Sequence, residues 1–327
     1  MRVVIIGGAG MVGSKLAARL ASDGMLGPRP IESIALVDVV EPPIPPGAVP
    51  VEAIAGDITD AGVAPRMLAE RPEVIFDLAA VVSGEAETDF EKGYRINLDG
   101  TRRLLEAIRT EGDDYRPRLV FSSSIAVFGP PFPDVIGDEQ ATTPATSYGT
   151  QKAIAELLLA DYSRRGILDG VGIRLPTICV RPGAPNRAAS GFFSGIIREP
   201  LNGVEAILPV ARDVRHWFAS PRAAVQFLVH AATMDTALLG QNRSLTMPGV
   251  SATVEEEITA LRTVAGDRAV ALIREEPDEL ITRVVSGWPR AFDARRASAL
   301  GFAAETSFEE IVRVYIEDEL GDRRAGP

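Results

Sequence analysis

Tyr148 and Lys152 stand four residues apart in Tyr148-Gly149-Thr150-Gln151-Lys152, and three consecutive serines, Ser122, Ser123 and Ser124, precede them. On a helix that spacing puts the phenol and the ammonium on one face. An ammonium beside a phenol favours the phenolate and lowers its pKa toward neutrality, which makes the tyrosine a usable base. Ser124, at the end of an apolar run that reads as a strand, would hold a substrate hydroxyl in line with that phenol, and Ser122 lies in the same run. The chemistry that Tyr148, Lys152 and Ser124 suit is removal of a proton from an alcohol. The same pair on an exposed helix would be an ordinary surface contact; the order of glycine motif, serine strand and Tyr-Lys pair is what argues for catalysis.

That glycine motif is Gly7-Gly8-Ala9-Gly10-Met11-Val12-Gly13, set between the first apolar run and the first helical pattern. Glycines there permit a tight turn, close approach of a pyrophosphate and close helix packing, with the phosphates at the helix N-terminus. Gly7, Gly10, Met11, Val12 and Gly13 are thus candidate dinucleotide contacts, although the spacing is G-x-x-G-x-x-G and not G-x-G-x-x-G. Asp38 ends the second strand, where a carboxylate accepts hydrogen bonds from an adenosine ribose and repels a 2′-phosphate, so the expected cofactor is NAD and not NADP. Asp57 and Ile58 after the third strand would border the adenine. Leu78, Ala79 and Ala80 after the fourth are small enough for a dinucleotide lying across strand ends.

The elements that must position these residues alternate in type. Runs rich in Val and Ile at 3–6, 34–37, 51–55, 74–78, 119–122 and 171–174 are separated by helical patterns such as 11–22 and 153–162. This is the mark of β-α-β units, and fully apolar strands imply helices on both faces: an α/β, doubly wound parallel sheet of the Rossmann type. The Pro-rich piece 41–50 is a loop after the second strand. From 181 to 209 the pattern becomes irregular and rich in Gly, Pro, Asn and Ser, as in a functional loop. Thr253 with Glu256, and Ser307 with Glu310 before a last amphipathic helix, look like capping boxes. The division expected is a dinucleotide-binding domain over 1–176, rejoined by about 214–250, and a smaller substrate-binding region over 177–213 and 251–327.

A net charge of −11 disfavours nucleic acid and anionic membrane surfaces, which are bound through clustered Lys and Arg. No apolar stretch is long enough to span a bilayer, and no signal peptide is evident, so a cytoplasmic location is expected. The one cysteine, Cys179, excludes an internal disulfide and reads as a buried apolar residue, and two histidines without cysteine partners give no expected metal site. The oligomeric state is left open, a homodimer among the alternatives.

The residues resemble the extended short-chain dehydrogenases over most of the chain: GGAGMVG, DLAA at 77–80, Asn97, SSSIAVFG at 122–129, YGTQK and RLPTICVRPG at 174–183. The resemblance implies that Tyr148 is the proton acceptor, that Lys152 holds the nicotinamide ribose and that Ser124 orients the substrate. It also implies that Asn97 supports the site and that the backbone at Pro176 to Ile178 meets the carboxamide. Two positions depart from the pattern: Asp77 replaces a usual histidine, and Arg215-His216-Trp217 replaces an Arg-Asp-aromatic triplet. Ile125 and Ala126 stand where dehydratases of sugar nucleotides have an acidic pair, which argues against dehydration. A closer likeness within the family implies oxidation of the C2 hydroxyl of a four-carbon sugar acid to a 2-oxo acid. Such a small anion needs cationic or hydroxyl partners; Arg181, Asn186, Arg187, Ser190 and Ser83 are candidates. His216 would polarise a substrate oxygen, or else simply pack beside Trp217. The alternatives are a 4-epimerase of nucleotide sugars that retains its NAD, and a non-catalytic dinucleotide sensor.

Overall fold

In the computed structural model, residues 1–183 and 189–321 are described. The main sheet is built from β1 (Arg2–Ile6), β2 (Ser33–Asp38), β3 (Val51–Ala55), β4 (Val74–Asp77), β5 (Arg118–Ser124), β6 (Asp169–Leu175) and, after two strands of a smaller sheet, β9 (Ser244–Thr246). The smaller sheet joins β7 (Thr177–Ile178), β8 (Arg215–Ala219) and β10 (Val250–Thr253). The main sheet runs in the order β9-β6-β5-β4-β1-β2-β3, and every pairing in it is parallel. This is the doubly wound order expected, with its reversal between β1 and β4, where such sheets open a crevice at the carboxyl ends of the strands.

Strand alternation explains the two-sided core. Val3 and Ile5 face one cluster with Leu16 and Leu20 of α1 (Met11–Asp23). Val4 and Ile6 face the other, with Leu104 and Ile108 of α2 (Thr101–Thr110) and Leu159 of α3 (Ser147–Arg164). On the first face α5 (Pro221–Thr233) adds Phe227 and Leu228, so the chain returns to this core after its excursion. A third cluster lies apart from the sheet, with Phe193, Ile196 and Ile197 of α4 (Gly191–Leu201), Ile258 and Leu261 of α6 (Val254–Ala265), and Ile311 and Val312 of α7 (Phe308–Tyr315). Cys179 is fully buried there.

Helix α4 corrects the expectation of an irregular stretch over 181–209. Gly191, Gly195 and Pro200 hid a helix whose buried Phe193, Ile196 and Ile197 have the right spacing. Thr253 and Glu256 do form a capping box, whereas at Ser307 only half of one exists, because the Glu310 carboxylate accepts from Thr306 instead. No helix among the described residues is long and apolar enough to cross a membrane.

Candidate active site

A cavity of about 460 Å³ opens at the carboxyl ends of β1, β4, β5 and β6. Its nucleotide end is the glycine turn, where Gly7, Gly10, Met11, Val12 and Gly13 line the wall with Leu78 and Ala80. Gly7 has φ +86°, and a Cβ there would lie 2.8 Å from the Ala79 nitrogen. A Cβ on Gly13 would lie 2.1 Å from the Gly7 carbonyl oxygen, so α1 sits directly on the turn. Gly10 caps α1 without a side chain, leaving the N–H groups of the first turn open to an anion. The Asp38 carboxylate accepts from the Ala9 N–H at 3.0 Å and therefore stands against the same turn. This turn, in which a Cβ at Gly7 or Gly13 would collide with backbone and the N–H groups of α1 face the cavity, fits a dinucleotide.

The adenine side differs from expectation. Asp57 accepts from the Thr59 N–H at 2.9 Å, the Thr59 hydroxyl at 2.7 Å and Arg95 at 2.6 Å. Burial raises its carboxyl, but these bonds outweigh that and hold it at about 2. Ile58 is buried in the core, close against Gly100. Neither side chain lines the cavity, and nor does that of Asp38: Asp57 is bonded to Thr59 and Arg95, and Ile58 is packed in the core. Ala79 touches Gly7 and does not line the cavity either.

At the centre, Ser124 ends β5, and Tyr148 and Lys152 lie on the first turns of α3, which Thr146 caps by accepting from the Gly149 N–H. Helix α3 is fixed to the sheet by a buried ion pair: Arg174 donates to Glu156 at 2.7 and 2.9 Å, and Ser123 donates to the same carboxylate at 2.5 Å. Ser122 lines the cavity beside Ser124, as expected of a substrate contact, and donates to the Asp77 carbonyl at 3.0 Å, which leaves its hydroxyl oxygen as an acceptor. Ser124 accepts from the Ala126 N–H and stands beside Tyr148.

Lys152 is fully buried, donates to the Ser122 carbonyl at 2.7 Å, and lies 4.6 Å from the Phe121 ring centroid and 5.9 Å from that of Tyr148. Burial takes it down to about 8 against the pull of Asp77 and Glu156. Burial likewise raises the Tyr148 phenol, with the Ser124 hydrogen bond and then the Arg181 charge acting the other way. Lys152 stands over the Tyr148 ring with one of its protons directed to the Ser122 carbonyl, and Arg181 is a second cation that acts on the phenol. Asp77, buried beside Lys152, accepts from Thr101 at 3.0 Å, and burial raises its carboxyl.

At the substrate end, Ser83, Arg181, Ser190 and His216 line the cavity as expected. Asn186 and Arg187 lie outside the described residues. Arg181 donates to the Ile178 carbonyl at 2.9 Å and to Ser190 at 2.8 Å, and it has no carboxylate partner among the described residues. Desolvation pushes this guanidinium down. His216 is buried, stacked on Phe193 and tilted against Trp288. Burial takes it down to about 4, so it is neutral near pH 7. Pro176 and Ile178 also line the wall. Asn97 does not; it accepts from the Val81 N–H at 2.7 Å and donates to the Val81 carbonyl and to Gln151, tying the loop after β4 to α3. Sequence reasoning reached Thr177 only as part of the Pro176 to Ile178 backbone and missed Arg198, Trp288 and Pro289, which line the cavity. Arg198 donates to the Arg181 carbonyl at 2.8 Å and pairs with Glu199. The helical spacing of α4 was the one signal that could have placed Arg198.

The stretch that carries the glycine turn, the strand-end serine and the helical Tyr-Lys pair lies within residues 3–239, which match the model of the NAD dependent epimerase/dehydratase family. The chain belongs to this family. Among its relatives is the D-erythronate dehydrogenase of Cupriavidus necator, 47% identical, with 97% of this chain and 98% of that protein covered. Another is the D-erythronate dehydrogenase of Haemophilus influenzae, 39% identical over 98% of this chain and all of that one. A crystal structure described as the nucleoside-diphosphate-sugar epimerase from Agrobacterium tumefaciens is 62% identical and superposes with a TM-score of 0.96 over 98% of this chain and 95% of that one. Within the NAD dependent epimerase/dehydratase family, the chain is thus similar end to end to proteins named as dehydrogenases and to one named as an epimerase.

Proposed function

We propose that this protein oxidises the C2 hydroxyl of D-erythronate to the 2-oxo acid with NAD. The observation that carries this reading is Arg181: a partly buried guanidinium, free of any carboxylate partner among the described residues, lining the same cavity as Tyr148 and Ser124. A desolvated cation of that kind suits a small carboxylate, through charge-assisted hydrogen bonds. The two full-length relatives named D-erythronate dehydrogenase support the choice of acid.

In this reading Arg181 and Ser190 hold the carboxylate and Ser124 aligns the C2 hydroxyl with Tyr148, whose phenolate takes the hydroxyl proton. Bound NAD supplies the hydride acceptor. Lys152 holds the ribose from its buried seat, and Asp38 accepts from the adenosine ribose. The chain's contribution is alignment and electrostatics. Residues 1–176 with 214–250 would form the NAD-binding part, and 177–213 with 251–327 the substrate part, of a cytoplasmic enzyme; the homodimer is tested by light scattering.

The decisive experiment follows NADH absorbance with D-erythronate and, separately, with UDP-glucose. NADH formed only with the sugar acid is the expected result. The 62%-identical structure named for an epimerase favours a second reading, in which the hydride returns to a nucleotide sugar and no net NADH forms. Conversion of UDP-glucose with silence toward D-erythronate would replace the first reading with the second.

A further inference from the structure

His216 has both ring nitrogens bonded. Nδ1 lies 2.8 Å from the Pro289 carbonyl and Nε2 lies 2.7 Å from the Thr177 hydroxyl. A carbonyl oxygen has only lone pairs to offer, so Nδ1 carries the proton. With burial holding the ring at about 4, Nε2 is bare near neutral pH and must accept. The Thr177 hydroxyl is then the donor of the 2.7 Å bond. Its single proton is committed to His216, and its remaining capacity is that of an acceptor. Thr177 lines the cavity shared by Tyr148, Ser124 and Arg181, in a region where Leu175, Trp288 and Pro289 contribute mostly apolar surface.

We propose that Thr177 is a specificity-determining residue whose oxygen, made acceptor-only by His216 and the Pro289 carbonyl, takes a hydrogen bond from a hydroxyl of the substrate chain beyond C2. This rests on the sugar-acid reading of the site. It completes a division of labour: Arg181 donates to the carboxylate, Ser124 and Tyr148 take the reacting hydroxyl, and Thr177 receives a proton-bearing group that neither of the others can read. His216 acts through Thr177 and is a positioning residue. A substrate lacking the further hydroxyls leaves that oxygen facing carbon, and an unmatched buried acceptor is costly. The departure from the usual Arg-Asp-aromatic triplet acquires a purpose here, since an aspartate could accept from Thr177 but could not donate to Pro289.

The test compares kcat/KM for D-erythronate with kcat/KM for the D enantiomer of 2-hydroxybutanoate, which keeps the carboxylate and the C2 hydroxyl and lacks the rest. Thr177→Val, an isostere without the oxygen, should lower the first about tenfold, chiefly through KM, and leave the second within about twofold. Thr177→Ser should restore the ratio, and Thr177→Ala reports the same ratio should valine pack poorly. His216→Phe should also shrink the ratio; mere loosening of the β7–β8 pairing would lower both substrates alike. An unchanged ratio in Thr177→Val overturns the inference, as does an unchanged ratio with weakened NAD binding, which would show that the oxygen reads the carboxamide. A wild-type protein that forms no NADH from D-erythronate defeats the functional reading itself.

Discussion

Tyr148 is the side chain on which the proposed proton transfer turns. Tyr148→Phe keeps the ring and removes the oxygen, so kcat should fall by roughly 10² to 10⁴, the usual range for a lost general base. NAD affinity, read by fluorescence titration, should hold; near-normal turnover would take Tyr148 out of the role. Burial keeps this phenol above its ordinary value, so the phenolate fraction grows with pH, and kcat/KM for oxidation should climb from neutral to alkaline conditions. Arg181→Met removes the charge and keeps most of the length. KM for D-erythronate should then rise by about 10- to 150-fold, corresponding to roughly 1.5–3 kcal/mol for a charge-assisted hydrogen bond, with kcat changed less. An unaltered KM would move the carboxylate to other donors. The placement of Tyr148, Lys152 and the glycines around one cavity could be read in the sequence because it depends on spacing within one element. Arg198, Trp288 and Pro289 could not, because they come from two segments far apart in the chain that meet only in the folded protein. The direction of the Lys152 ammonium was equally hidden, since a motif fixes which face a side chain leaves from and not which carbonyl it finds.

At the scale of elements, the joint between β1, the glycine turn and α1 leaves no slack. A methyl on Gly13 would meet the Gly7 carbonyl oxygen at 2.1 Å and the carbonyl carbon at 2.9 Å, both backbone atoms that cannot step aside by rotation. Gly13→Ala must therefore displace α1 from the turn. The expected cost is about 1–3 kcal/mol of stability, typical of overpacking, with a larger proportional loss of NAD affinity because the open N–H groups move as well. Thermal melts with and without NAD separate the two effects; a variant that melts and binds like the wild type would contradict the close packing. Most of the sheet was legible because its strands are continuous apolar runs between helical patterns. Helix α4 was not, because glycine and proline are local signals of interruption, whereas the burial of Phe193, Ile196 and Ile197 against α6 and α7 is a tertiary fact that overrides them.

For the whole molecule, the third core cluster carries one group that ties stability to pH. Glu257 of α6 is completely buried, and neither carboxylate oxygen has a hydrogen-bond partner among the described residues. Burial alone raises its pKa well above the ordinary value, and a charge there would act on the buried Cys179 thiol, which burial and then Glu257 push up. The sign follows from linkage. Below the unfolded-state pKa both states hold the proton and the folded protein is unpenalised. As pH rises toward the raised folded-state pKa, the unfolded chain releases its proton first and is favoured, so stability falls, by up to about 1.4 kcal/mol per pH unit for one proton. Carboxylates held low, such as Asp57 at about 2, pull the opposite way at acid pH, but they are common to wild type and variant and cancel in a difference. Glu257→Gln keeps the shape and cannot ionise. At pH 5 it should be no more stable than the wild type, since its amide is as unpartnered as the acid; between pH 5 and 8 denaturant midpoints should shift steadily in its favour. A constant difference across that range would mean that Glu257 is ionised in the folded state and that the helices of this cluster admit a partner for it.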